Sequence, residues 1–222
     1  IFEKEIPEYY QTSTIRKSQV QMALDIAAFL DASEFKKVMF IEAPVGTGKS
    51  LGALIPALLE SKETSNKRIV YATATINLQG QLMNSEVPLL RKLSLVRQPI
   101  LAKGKSHYYC HKKFLYSEMS FSTEENERFK EFFKKAETGQ RNEFEEQFEL
   151  DLSDRKWEKV SLDATRRDCD NCNFSYICAT KSHRGNFASI KKDLVITNHD
   201  QLIVSALNIL SEPRQKPIIP ID

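Results

Sequence analysis

The sequence predicts an α/β fold: a parallel sheet with helices on both faces, interrupted by a mainly helical insertion. Three observations carry this. An apolar stretch runs into a glycine-rich turn and then an apolar helix over residues 36–62. Strand and helix patterns alternate from there to residue 102, as in sheets built by right-handed crossovers. The pattern is lost after Lys103 and returns near residue 191.

The first helix is read over residues 13–33, where Val20, Leu24, Ala27, Ala28 and Leu30 recur at helical spacing and Ser18 is the expected N-cap. The run "KKVMFIEAP" reads as a short buried strand, because its apolar residues are continuous rather than alternating. A helix over "SLGALIPALLESK" follows, with Pro56 expected to kink or shorten it. Next come a strand at "KRIVYATAT", a helix at "INLQGQLMNSEV" capped by Thr75, and an extended piece at "QPILAKG".

From about Ser117 to Lys159 the chain is dense in Glu and Lys. Phe121, Phe129, Phe132, Phe133, Phe144 and Phe148 sit at loosely helical spacing, enough to cover a small core beneath a solvated charged face. "KKDLVITNHDQLIVSALNIL" then reads as strand and helix, and "KPIIPID" as a further strand. The expected divisions are 1–102, 103–185 and 186–222, the first and last belonging to one sheet.

With 222 residues, 41% hydrophobic and 28% charged, the chain has the make-up of an ordinary globular protein, and a net charge of +2 confines any nucleic-acid site to a local patch. No apolar run approaches the roughly 20 residues needed to cross a bilayer, and "IFEKEIPEYY" lacks a signal pattern, so the expectation is a cytoplasmic protein without a membrane partner. The absent initial Met and the ending at "KPIIPID" suggest a piece of something longer.

The turn "EAPVGTGKS" carries Gly46, Thr47, Gly48, Lys49 and Ser50 between the expected strand and helix. This is the arrangement of a phosphate-binding loop. Glycines let backbone N–H groups approach the phosphates, the lysine reaches the β and γ phosphates, and the serine hydroxyl holds Mg²⁺. Position 43, glycine in the strict pattern, is Ala43. ATP with Mg²⁺ is the expected ligand, and Asp222, ending the apolar run "IIPID", is the expected acidic partner of the magnesium.

Four cysteines remain. Cys169, Cys172 and Cys178 follow C-x2-C-x5-C spacing, and Cys110 is the only other thiol, on the far side of the insertion. In a reducing compartment such a group points to a metal or cofactor, and the four would staple the two ends of the insertion together. Spacing leaves zinc and iron–sulfur both open, with zinc the commoner outcome, and His107, His111, His183 or His199 could replace one thiolate in a zinc site.

Taken in order, the phosphate loop, "YATATINLQGQL", "LAKGKSHYYC", the long insertion, C-x2-C-x5-C, "LVITNHDQLI" and the terminal "PID" resemble the DinG branch of the XPD/DinG family of superfamily 2 iron–sulfur DNA helicases. The resemblance extends over nearly the whole chain, and A-x-x-G-x-G-K-S is the phosphate-loop variant of that superfamily. It implies a RecA-like first motor domain interrupted by a [4Fe–4S] insertion held by Cys110, Cys169, Cys172 and Cys178. It implies that Arg16 and Gln19 in "IRKSQVQM" read the adenine, that Lys49 and Asp222 serve catalysis with Ser50 and Asp222 on magnesium, and that Asn198 and His199 occupy family positions. His107 departs from the family, which more often has Asn there.

An ATP-dependent DNA helicase of repair or replication follows from the resemblance. It would run 5′ to 3′ on single strands and on forked or 5′-tailed duplexes, as a monomer, with this part inactive alone for want of the second motor domain. The expected DNA contacts are Thr73, Thr75, Asn77 and Gln81 at a helix start. A second patch is "KGKSHYYCHKK", where Lys103, Lys105, Lys112 and Lys113 surround Tyr108 and Tyr109. Basic residues interleaved with aromatics suit single strands; equally, the lysines could be merely solvated and the tyrosines packed. The alternative function is a non-motor P-loop nucleotide-binding module with a zinc-stabilised interaction domain. A metabolite kinase is disfavoured, since no lid-like arginine cluster is present.

Overall fold

The computed structural model describes residues 1–32, 38–63, 68–189, 191–204 and 219–221. They form two compact units, one of 1–102 with 190–222 and the other of 103–189. The first unit opens with α1 (Glu5–Tyr9) and α2 (Lys17–Asp31). Then come α3 (Lys49–Glu63), β1 (Ile69–Thr73), α4 (Ile76–Gln81), a π-helical turn at Leu82–Glu86, α5 (Val87–Lys92) and β2 (Pro99–Leu101). The second unit contributes α6 (His111–Ser117), α7 (Thr123–Lys135), α8 (Arg141–Phe148), α9 (Asp154–Glu158), α10 (Arg166–Asp170) and α11 (Ala179–Gly185). β3 (Leu194–Asn198), a helix at 199–204 and β4 (Ile219–Ile221) return to the first.

The four strands are all parallel in the order β2-β3-β1-β4. All five residues of β1 are buried, so both faces of the sheet are covered, as a parallel sheet requires. Leu54, Ile55 and Leu58 of α3, Leu89 and Leu90 of α5, Ile69 and Tyr71 of β1, and Leu194 and Ile196 of β3 form the core. Burying one such side chain contributes roughly 1.5–3 kcal/mol, and this density sustains α3 through a proline. Pro56 lacks the N–H that would bond the carbonyl four residues back, yet α3 continues to Glu63 rather than stopping short.

Two expectations for this unit are corrected. Described residues 38–44 of the run "KKVMFIEAP" form no strand, and Val38 and Phe40 are 77% and 92% exposed. Both edges of β1 are taken by β3 and β4, and an apolar run becomes a buried strand only where it has a ladder partner. The inward face of α2 is also rotated from the one read. Gln19, Met22, Ala23 and Ile26 are buried while Leu24 is 59% exposed, and Arg16, not Ser18, occupies the N-cap without a side-chain bond. Met22 and Ile26 pack on Ala53 of α3, and the polar Gln19 shares that face for a reason given below.

The second unit has its own core. Tyr109, Phe114, Phe121, Phe129, Phe132, Phe144, Leu152, Trp157 and Val160 are buried together, with Phe133 and Phe148 partly buried at the margin. Phe129 stacks on Phe144 at 4.6 Å between ring centroids and on Tyr109 at 5.6 Å. α7 starts at a reciprocal capping box between Ser122 and Glu125 and presents Phe129 and Phe132 inward, its charges forming i,i+4 pairs outside.

Candidate functional site

In the first unit, the turn before α3 closes on itself. Thr47 Oγ1 donates to the Pro44 carbonyl at 2.7 Å, and Gly46 and Gly48 both adopt positive φ, 84° and 83°, which L side chains rarely tolerate. The Lys49 ammonium donates to the carbonyls of Ala43 and Pro44 at 2.8 and 3.0 Å, which holds it in the mouth of the loop. Ser50 lies in the first turn of α3, where helix N–H groups are unpaired by the helix itself.

Gln19 explains the face of α2. Its side-chain Nε2 donates to the Gly48 carbonyl at 2.8 Å, and a Cβ on Gly48 would lie 2.2 Å from that nitrogen and 3.3 Å from an Arg16 guanidinium nitrogen. The glycine is therefore demanded by its φ, and a side chain in its place would also push the Gln19 amide off the Gly48 carbonyl. Arg16 and Gln19, far away in sequence, border the loop together. Gln19→Ala is expected to free the Gly48 carbonyl and loosen the loop, weakening nucleotide binding by about fivefold, the equivalent of one net hydrogen bond, with little change in unfolding temperature. A nucleotide titration of the two proteins checks it.

In the second unit, the four cysteines are free thiols, all partly buried. They lie near one another: the ionisation of Cys110 is opposed by Cys178 and Cys172, that of Cys169 by the other three, and that of Cys178 by Cys172. Burial is the main cause that pushes the Cys110, Cys169 and Cys178 thiols upward. Two of the four start helices: Cys110 precedes α6 and Cys178 precedes α11, with the Cys178 sulfur accepting from the Lys181 N–H at 3.4 Å. Such positions favour thiolates, because backbone N–H groups and the helix dipole point at the sulfur.

The two ends of the unit are tied at this place. Thr180 Oγ1 donates to the Tyr109 carbonyl at 2.8 Å, and the Tyr109 N–H donates to the Gly139 carbonyl at 2.8 Å. Gly139 has φ +72°, and a Cβ there would meet Thr180 Oγ1 at 2.1 Å, so glycine at this position lets Thr180 of α11 close on Tyr109. Among the described residues, no three His, Cys, Asp or Glu side chains are placed to hold a single metal ion.

A sequence model of the DEAD/DEAH box helicase family matches residues 23–147, more than half of the chain. The chain belongs to the DEAD/DEAH box helicase family. Its relatives include the ATP-dependent helicase DinG of Mycobacterium tuberculosis (strain ATCC 25618 / H37Rv), 30% identical over 87% of this chain and 32% of the relative. The ATP-dependent DNA helicase DinG of Salmonella typhimurium is 27% identical over 90% of this chain and 30% of its own length. The Escherichia coli K12 protein of the same name is 26% identical over 96% and 31%. The chain thus spans about a third of the length of these helicase relatives.

The remaining candidates of this helicase chain divide into surface and interior. At the carboxyl edge of the sheet Thr73 and Asn198 are in register. Thr73 is buried with its hydroxyl donating to the Thr75 carbonyl at 2.8 Å, while Thr75 caps α4 by accepting from the Leu78 N–H at 3.3 Å. Asn198 Oδ1 accepts from the Gln201 N–H at 2.9 Å, starting the helix at 199–204. Asn77 and Gln81 are exposed on α4.

The expectation that bases stack on Tyr108 is corrected: its ring is fully buried, with its hydroxyl accepting from the Lys103 N–H at 3.4 Å. Tyr109 is buried too, in the aromatic core. Lys103 is likewise interior, donating to Asn142 Oδ1 at 2.7 Å, and burial holds its pKa below the usual lysine range. Of the basic patch, Lys105 and Lys112 are exposed and Lys113 pairs with Asp163 at 3.0 Å. Asp222 lies outside the described residues.

Gln79 was not singled out in the sequence. It is fully buried in α4, and among the described residues neither of its amide atoms has a hydrogen-bond partner. A buried unpaired amide costs about 1–3 kcal/mol, and this one lies in the turn of α4 that leads into the π-helical turn at Leu82–Glu86, a distortion that often accompanies functional positions. No sequence signal marked it, since Asn77 and Gln81 of the same short helix are equally polar and lie exposed.

Proposed function

We propose that the chain is the nucleotide-binding part of the first motor domain of an ATP-driven DNA helicase of repair or replication. It would act 5′ to 3′ on single-stranded DNA and on forked or 5′-tailed duplexes, as a cytoplasmic monomer. The observation that carries this reading is the glycine loop before α3, with Lys49 in its mouth and Arg16 and Gln19 braced against Gly48. In this arrangement the loop N–H groups and Lys49 take the phosphates of ATP, Ser50 and Asp222 hold Mg²⁺, and Arg16 and Gln19 border the adenine. Thr75, Asn77, Gln81 and Lys105 are the DNA contacts that exposure supports. Among the described residues no helix is long and apolar enough to cross a membrane.

Cys110, Cys169, Cys172 and Cys178 would hold a [4Fe–4S] cluster. The donor set fits: four mutually close thiols, two of them at helix starts, and no competing disulfide. One tetrahedral zinc, with metal–sulfur bonds of about 2.3 Å, would draw sulfurs to ~3.8 Å of each other. A four-iron cage holds its thiolates further apart, and the preference for it here rests on the resemblance to the iron–sulfur helicases. When bound, the cluster supplies covalent cross-links between the two ends of the second unit.

The test is strand displacement by the whole protein. A 5′-tailed or forked duplex is expected to open with ATP and Mg²⁺ and a 3′-tailed one to remain closed. Turnover of ATP that no DNA stimulates, with no strand released, would contradict the reading.

A further inference from the structure

A cation shares a cavity with one of the thiols. Arg184, near the end of α11, is half-buried and held on three sides. Its Nη1 donates to the Lys103 carbonyl at 3.2 Å, and its guanidinium carbon lies 5.1 Å from the Tyr108 ring centre and 5.6 Å from that of Phe187. Tyr108 is itself buried, so this seat is rigid. Among the described residues, no carboxylate pairs with Arg184. Asp170, on the wall of the same cavity, is bonded by Lys181 at 3.1 Å.

That cavity, of about 190 Å³, is lined by Cys169 and Arg184 together. The guanidinium and the Cys169 thiol face the same cavity, so a negative charge that a bound centre placed on that sulfur would share the cavity with Arg184. A half-buried guanidinium without a carboxylate is costly unless another negative charge is brought to it.

We propose that Arg184 is the fixed counter-charge of the thiolate-ligated centre at Cys169, a positioning residue that raises its reduction potential. This rests on the iron–sulfur reading above. A four-iron cluster on four thiolates is doubly negative and becomes triply negative on taking one electron, so a fixed cation stabilises the reduced form more. Arg184 shares a cavity with one ligand and, being half-buried, is screened by salt less than a surface cation.

The experiment is a redox titration of the anaerobically prepared whole protein with dithionite and mediators, followed by bleaching of the visible band, for wild type, Arg184→Gln and Arg184→Lys. With equal iron and sulfide in all three, reduction of Arg184→Gln is expected to be about tenfold less favourable, a shift of about 59 mV to more negative potential for one electron, and Arg184→Lys to recover most of it. Loss of iron from Arg184→Gln but not from Arg184→Lys also supports the charge role. Equal potentials at full iron overturn it. So does loss of iron from both variants alike, which makes Arg184 a packing residue. A wild type that takes up no iron and sulfide on anaerobic reconstitution overturns it through the cluster reading itself; this is told apart from the other outcomes because only there does the parent protein fail to load.

Discussion

Replacing Lys49 by alanine in the whole protein is expected to reduce ATP turnover on the order of a hundredfold or more. The fold should be left intact. Lys49 is exposed and its two hydrogen bonds go to carbonyls of its own loop, so the substitution removes no core packing. What is lost is the ammonium that would otherwise leave Ala43 and Pro44 for the β and γ phosphates, where charge builds up in the transition state. Removing one such preorganised donor costs about 2.7–4 kcal/mol in comparable sites. Single-turnover hydrolysis beside a thermal unfolding curve separates the two effects. An unchanged rate, or a collapse of the fold, would show that the loop does other work.

Cys172→Ser is expected to release iron and to unfold one part of the second unit only. α10 buries no side chain and α11 buries only Thr180, and each has seven residues or fewer, too short to persist alone. The segment from Thr165 to Gly185 therefore depends on ligation, as small metal-stabilised elements do. The aromatic cluster from Tyr109 to Val160 is packed on its own account and should survive. Limited proteolysis is expected to cut near 165–178 in the variant and not in the loaded parent, while nucleotide affinity, a property of the other unit, is unchanged. Cleavage spread evenly over 103–189 would mean that the Phe core also needs the cluster.

What was legible in the sequence follows the range of the interaction involved. The phosphate loop could be read because its glycines, lysine and serine are contiguous and the helix after them is strongly apolar. Thr75 as a cap could be read because capping is settled within three residues. The Phe spacing of the second unit could be read because hydrophobic burial is indifferent to which partners a ring finds.

The failures share one cause. The buried face of α2 is decided by the bond from Gln19 to Gly48, a contact between residues far apart in the chain that no periodicity encodes. Residues 38–44 have a strand's composition but not a strand's neighbours. In "KGKSHYYCHKK", alternating lysines and tyrosines fit a solvent-facing surface and a packed one equally well, and Tyr108 and Lys103 take the second. The gathering of Cys110 with the other three thiols could be expected because it is the only other thiol in the chain, while which centre they hold was implied by resemblance alone.

Four thiolates from the two ends of one unit are proposed to hold a multi-iron cluster on a nucleotide-driven DNA motor. Iron, sulfide and zinc analysis of the anaerobically purified whole protein, with its visible spectrum, tests it most directly. About four iron and four sulfide per chain, with a broad charge-transfer band, is the predicted result. One zinc per chain and a colourless solution would contradict it.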